Sequence, residues 1–131
     1  MLLPSNTSTN KFASPTNVEG AEAGRLITVP ANTSAVEDYQ KNFVLVTSLL
    51  LCNKTGTNLA VSAKIINGIT SAFILNGLNL PPNTSYDIIE GNKFTLKEGD
   101  ILYVWHGATA SNALDVVFSY TLHRPLTTYD I

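Results

Sequence analysis

The feature that most restricts the fold is a period-two alternation of apolar residues along 92–122. After the stretch Leu96-Lys97-Glu98-Gly99-Asp100 the chain reads Ile-Leu-Tyr-Val-Trp-His over 101–106. That spacing places Ile101, Tyr103 and Trp105 on one side of a strand and Leu102, Val104 and His106 on the other. A break of small residues follows at 107–112. A second alternating run then sets Leu114, Val116, Phe118 and Tyr120 against Asp115, Val117, Ser119 and Thr121. The two runs predict a β-hairpin at the centre of a sheet. In the turn before them, Gly99 suits a positive φ and Asp100 suits a bond to its own backbone.

The other segments read as strands that pack onto this pair. Phe43 to Cys52 is the most apolar run of the chain. Its β-branched residues and the turn at 53–58 favour a strand over a helix. Being apolar on both sides, it predicts a central strand whose outer side, with Val44, Val46 and Leu50, is covered by a neighbour. Leu59, Val61, Ala63 and Ile65 form the inward set of the next strand, read as a hairpin with the preceding one across Lys54-Thr55-Gly56-Thr57. Asn67-Gly68 is a strong turn signal. The run Ala72 to Leu80 is interrupted at Asn76-Gly77, a bulge or a turn. Pro81-Pro82-Asn83-Thr84-Ser85 makes a corner, near-copied as Pro30-Ala31-Asn32-Thr33-Ser34, and Tyr86 to Glu90 reads as a strand. Arg25 to Val29 is a short first strand stopped by Pro30, and Ala35 to Lys41 is a loop or a helical turn. The sum is an all-β chain: a single antiparallel β-sandwich of jelly-roll or Ig-like type over residues 25–124, with about seven or eight strands. Residues 1–24, without periodicity, read as an extended N-terminal arm, and 125–131 as a C-terminal tail.

Charge narrows the function. Only 14% of the residues are charged, and Asn, Ser and Thr stand in their place. So little surface repulsion favours self-association, a homo-oligomer or a place in a larger assembly. The net charge of −2, with lysines and arginines scattered singly, argues against a nucleic-acid partner held through phosphates. No run reaches the length of a membrane span, and the first residues lack the pattern of a signal peptide. The single cysteine, Cys52, has no partner within the chain and reads as a buried, inert thiol. The Asn-X-Ser/Thr sites at Asn6, Asn32, Asn53 and Asn83 are expected by chance in such a composition.

The search for chemistry predicts no enzyme, no metal and no cofactor. His106 and His123 lie on separate strands without the spacing of a metal site. His106 reads as a strand-end histidine bonded to a loop, although Asp100 and Asp115 are potential neighbours across the hairpin. No serine stands in a nucleophile elbow, no glycine-rich phosphate loop is present, and Glu37-Asp38 and Glu98/Asp100 fall in loops. Trp105 with Tyr103 and Tyr86 leaves two readings: a core or subunit-interface face, or an exposed platform on which sugars stack.

Several blocks carry a resemblance. The run Val46-Thr47-Ser48-Leu49-Leu50-Leu51-Cys52-Asn53-Lys54-Thr55-Gly56 is followed by Leu59 to Ile65, and then by Leu80-Pro81-Pro82-Asn83-Thr84-Ser85-Tyr86. Phe94 to Leu102, with its Leu-X-X-Gly-Asp, and Ala113 to Tyr120, with its Asp-Val-X-X-Ser-Tyr, complete the set. Together they resemble small β-sandwich virion structural proteins of tailed bacteriophages. The match spans about Arg25 to Leu122; Trp105-His106-Gly107 departs from it, where such proteins carry smaller polar residues. What the resemblance implies is a non-enzymatic role in the virion, as head decoration or cement, neck or tail accessory protein, with other virion proteins and copies of itself as partners. The candidate partner contacts are Leu2, Leu3, Phe12, Val18, Val44, Val46, Tyr129 and Ile131. The rival reading is a carbohydrate-binding host-adhesion module, with a host glycan as partner.

Overall fold

A computed structural model describes residues 5–32, 37, 41–91, 93–110 and 112–125. The described residues form nine strands: β1 (Ser5–Ala13), β2 (Arg25–Thr28), β3 (Phe43–Asn53), β4 (Leu59–Asn67), β5 (Thr70–Leu80), β6 (Ser85–Asp87), β7 (Phe94–Lys97), β8 (Ile101–His106) and β9 (Leu114–Arg124). A single 3₁₀ turn, Glu22–Gly24, precedes β2. One sheet runs β1-β9-β3-β6, with β7 on the same side of β3 as β6; the other runs β2-β8-β4-β5, and all pairs are antiparallel. The expected sandwich is therefore present, in its jelly-roll form: apart from β4–β5 and β6–β7, each consecutive pair of strands lies in opposite sheets.

That topology corrects both hairpins expected across the sandwich. β8 and β9 belong to different sheets, so the chain crosses from one to the other between them; β3 and β4 are divided in the same way. A short loop with turn residues serves an arch between sheets as well as a hairpin within one, and the local sequence does not separate the two. The hairpin that does form is β4–β5, paired from Leu59↔Leu80 to Asn67↔Thr70 around Gly68-Ile69. Gly68 has φ 61° while Ile69 does not take a positive φ, as the first central position of a type II′ hairpin turn requires. Asn76-Gly77 is a bulge: two residues of β5 oppose Ser62 alone, Gly77 takes φ 72°, and its N–H donates to Ser62 Oγ at 3.0 Å.

The core lies between the sheets. Leu114, Val116 and Phe118 of β9 pack there with Leu102 and Val104 of β8 and Leu59, Val61 and Ala63 of β4, as the alternation predicts for β4 and β9. Val44 and Val46 are a correction. Both are 0% exposed, inside the core, and present no outer side to a neighbour. The reason is a bulge at Thr47, which slips the register between Val46↔Tyr120 and Ser48↔Ser119. Before it the even residues of β3 face inward; after it Leu49, Leu51 and Asn53 do. A run that looks apolar on both faces is one inward row that changes parity halfway. Leu45 and Leu50 remain on the outer side, half-buried.

The first segment also differs from its expectation. Residues Ser5–Ala13 are extended, but they run along β9 of their own chain in unbroken register, Ser5↔Arg124 to Ala13↔Val116. Their sequence, Ser-Asn-Thr-Ser-Thr-Asn-Lys-Phe-Ala, is polar on both faces because the strand lies at the sheet's edge with most of its surface in water. Leu2, Leu3, Tyr129 and Ile131 lie outside the described residues, as does most of the 33–40 stretch. The strand expected at Tyr86–Glu90 is shorter, ending at Asp87.

Candidate functional site: the outer face of the four-stranded sheet

Among the described residues, four polar side chains are buried: Asn42, Asn53, Asp100 and His106. Each ties down crossings between the sheets. Asn42 donates from Nδ2 to the Pro30 carbonyl at 3.1 Å, and its own N–H is received by Asn32 Oδ1, joining the two ends of the β2–β3 connection. Asn53 Nδ2 lies 2.8–3.1 Å from the carbonyls of Thr57, Leu80 and Pro81, while its Oδ1 accepts from the N–H and hydroxyl of Thr55. One side chain thereby fixes the β3–β4 arch and the start of the β5–β6 corner, and this Asn-X-Thr site is buried. Asp100 accepts from Lys97 N–H and from Asn67 Nδ2, both at 2.8 Å, closing the β7–β8 turn in which Gly99 takes φ 84°.

His106 holds two crossings. Its Nε2 lies 3.0 Å from the Pro15 carbonyl and its Nδ1 accepts from Ala108 N–H at 3.1 Å. With Ala108 donating to Nδ1, the imidazole is neutral and carries its proton on Nε2. Burial pushes its pKa below the ordinary histidine value, and the bond to Pro15 opposes this. The carboxylates raised as neighbours are engaged elsewhere, Asp100 as above and Asp115 with Lys54 Nζ at 3.1 Å. No buried side-chain N or O among the described residues lacks a partner. The polar interior is bracing, and the site must be sought outside.

The outer face of the β2-β8-β4-β5 sheet supplies it. The register places Arg25, Tyr103, Lys64 and Phe73 in one row across the four strands, with Trp105 beside Ser62 in the row next to it. Ile101 and Ile66 pair on the other side of that row. Leu102, Val104 and His106 take the inward positions, so Ile101, Tyr103 and Trp105 turn outward; the core alternative for this aromatic set is thus corrected. Phe73 is 48% exposed, and its ring lies 6.0 Å from that of Trp105 at 54°. Lys64 Nζ sits 5.0 Å above the Phe73 ring and 3.6 Å from Glu19, while Arg25 is bonded to Glu22. Both cations of the row are therefore neutralised by carboxylates from the segment leading into β2. What the face offers is aromatic and aliphatic surface on a rigid sheet.

The outer face of the other sheet is mixed. Ser8 Oγ meets Thr121 Oγ1 at 3.0 Å, Ser119 Oγ donates to Asn10 Oδ1 at 2.7 Å, and Thr47 Oγ1 donates to the Ser119 carbonyl, while Leu45, Leu50 and Val117 lie half-buried beside them and Phe43 stacks on His123. Phe12, 76% exposed, and Val18 stand on the surface; Cys52 is half-buried on the outer side of β3 and does not lie in the core. Tyr86 is exposed on β6, in the opposite sheet from Trp105 and Tyr103. Depressions such as that lined by Ile65, Asn67, Ala72, Lys97 and Asp100, about 290 Å³, are open and shallow. Among the described residues, no group of three His, Cys, Asp or Glu is placed to hold a metal ion.

No family model matches the sequence, and no curated protein matches it significantly. Among solved structures, a chain from the disulfide-linked pili of Bacillus endospore appendages superposes with a TM-score of 0.44 and 14% identity, over 95% of this chain and 90% of that one. A chain of the T13 IBDV viral particle superposes with a TM-score of 0.41 and 11% identity, over 95% of this chain and 36% of that one. Superpositions at this level leave function to be argued from the site itself.

Proposed function

We propose that this chain is a non-enzymatic structural subunit of a virus particle, of the head-decoration, neck or tail-accessory kind found in tailed bacteriophages. In this reading it docks through the outer face of its four-stranded sheet, and through its termini, against other virion proteins and copies of itself. One observation carries the reading: Phe73, exposed, and Tyr103, Trp105, Ile66 and Ile101, half-buried, share the outer side of one sheet of a sandwich whose buried polar side chains, among the described residues, are all occupied in bracing it. Contiguous apolar surface on a rigid support is what a subunit contact uses, with aromatic anchors carrying most of the energy. The resemblance of the blocks between Arg25 and Leu122 to phage virion proteins is in line with it.

The test is incorporation. Purified protein mixed with particles lacking it should co-sediment, and Trp105→Ala should lower occupancy by about tenfold or more, as loss of a central aromatic anchor does. A Trp105→Ala protein that binds particles like the parent would remove the basis of the reading. The outward turn of Trp105 also favours a second reading, a carbohydrate-binding adhesion module. There, tryptophan emission would respond to added glycans and not to particles; the structural reading expects the reverse.

A further inference from the structure

We infer that the exposed edge of β1 is a pairing surface for a second copy of this chain, β1 against β1′ antiparallel about a twofold axis, making one continuous sheet across two sandwiches. An unpaired sheet edge is a row of N–H and C=O groups open to another strand, and proteins ordinarily guard such edges by shortness, bulges, proline or charge. Three edges here are guarded. β5 carries two register shifts against β4, one of them with Gly77 at φ 72°. β2 has 4 residues, a bulge against β8, and Pro30 just beyond it. β6 and β7 share their edge as pieces of 3 and 4 residues.

Of these devices β1 has only charge, and that only once. It is 9 residues long, free of proline, and in unbroken register with β9. It ends the order of its sheet, so among the described residues no strand pairs with its far side. Its one charge, Lys11, is the residue type that normally protects an edge. Here it is folded back, with Nζ 2.9 Å from the Leu26 carbonyl and 3.3 Å from that of Arg25. What remains along the edge is neutral Ser, Thr and Asn, with Phe12 exposed near one end. A neutral strand faces its own copy without charge repulsion. A head-to-tail contact, by contrast, would have to match β1 to one of the three guarded edges. The self-complementary, isologous pair is therefore the favoured closure.

This deepens the structural reading by naming the partner of one surface, and the two fail separately because Trp105 lies on the opposite sheet. The experiment follows the full chain by sedimentation from about 1 to 100 µM, with amide hydrogen exchange at both ends of that range. The expected result is a reversible dimer in which alternate amides of β1 gain protection only at the higher concentration. Asn6→Lys with Ser8→Lys, both at exposed outer positions, should weaken the dimer by about tenfold or more; the Ser8–Thr121 bond lost with it lies in water, and the sandwich stays folded. Trp105→Ala should leave it unchanged. A monomer throughout the range, a dimer indifferent to the two lysines, or protection appearing at β2 or β5 would each overturn the inference.

Discussion

Thr47 is the extra residue of the β3 bulge, and its insertion decides which side of the sheet Val44 and Val46 face. Because Val46 is sealed in the core, Val46→Asp would place a carboxylate among apolar neighbours with no counter-charge. The expected cost is more than about 4 kcal/mol, the range of an unpaired buried charge, read as a loss of folded protein in chemical denaturation. A folded variant with altered association alone would contradict the inward placement. His106 gives a second prediction at this scale. Its folded pKa is depressed, so the folded state resists a proton that the unfolded chain accepts near pH 6.5. Stability is therefore full above about pH 6.5 and falls as pH drops below it. In His106→Gln that slope should vanish, as denaturation midpoints at pH 7.5 and pH 5 would reveal. Asp87 acts in a lower window. Burial raises its pKa, but the N–H groups of Ile89, Leu49 and Glu90 and the Ser48 hydroxyl outweigh this and hold it below the usual carboxylate range. Its contribution is present above that range and is lost as pH falls through the depressed value.

Among the strands, β1 most changes the picture, because it completes the sheet that β9 would otherwise leave with an open edge. Removing residues 1–13 should destabilise the sandwich by at least about 2 kcal/mol, the net value of several ladder hydrogen bonds, and lower the melting temperature. A truncated chain that melts like the parent would return this segment to the role of a mere arm. β1 was illegible in the sequence for a physical reason: an edge strand wet on both faces has no apolar period to read. β4, β8 and β9 were legible because alternation records which residues share a face. It does not record which face is inner. On β8 both sets are apolar, and the smaller Leu102 and Val104 fill the space between the sheets, where His106 finds its two partners. Trp105 and Tyr103 are left outside, which is why the set was legible in the sequence while its side, inner or outer, stayed open between two readings. Asn53 and Asp100 were readable as turn residues, but their bonds to Leu80, Pro81 and Asn67 join segments far apart in sequence. No local pattern announces such bonds.

Taken whole, the molecule is built almost entirely from pairings between distant segments, since most connections leave one sheet for the other. Each such pairing requires loop closure before any contact rewards it, so folding should be slow for a domain of this size, in the millisecond-to-second range. The β4–β5 hairpin is the exception: its strands are joined by two residues and can pair before the rest is in place. It is therefore the natural nucleus, and its turn depends on Gly68 at φ 61°. A β-branched residue is strained in that conformation, and with nothing within 4 Å of a Cβ at this position, strain would be the whole effect of Gly68→Val. If the hairpin forms before the transition state, that strain, about 1–2 kcal/mol, slows folding by roughly fivefold or more and leaves unfolding nearly unchanged. Gly91, at φ 81° beyond β6, is the control: it too has open space around it, but it serves a corner that closes only once β3 is paired. Gly91→Val should therefore accelerate unfolding while sparing the folding limb. Chevron plots of the two variants would decide the matter, and equal effects on the folding arm would show that no local hairpin leads.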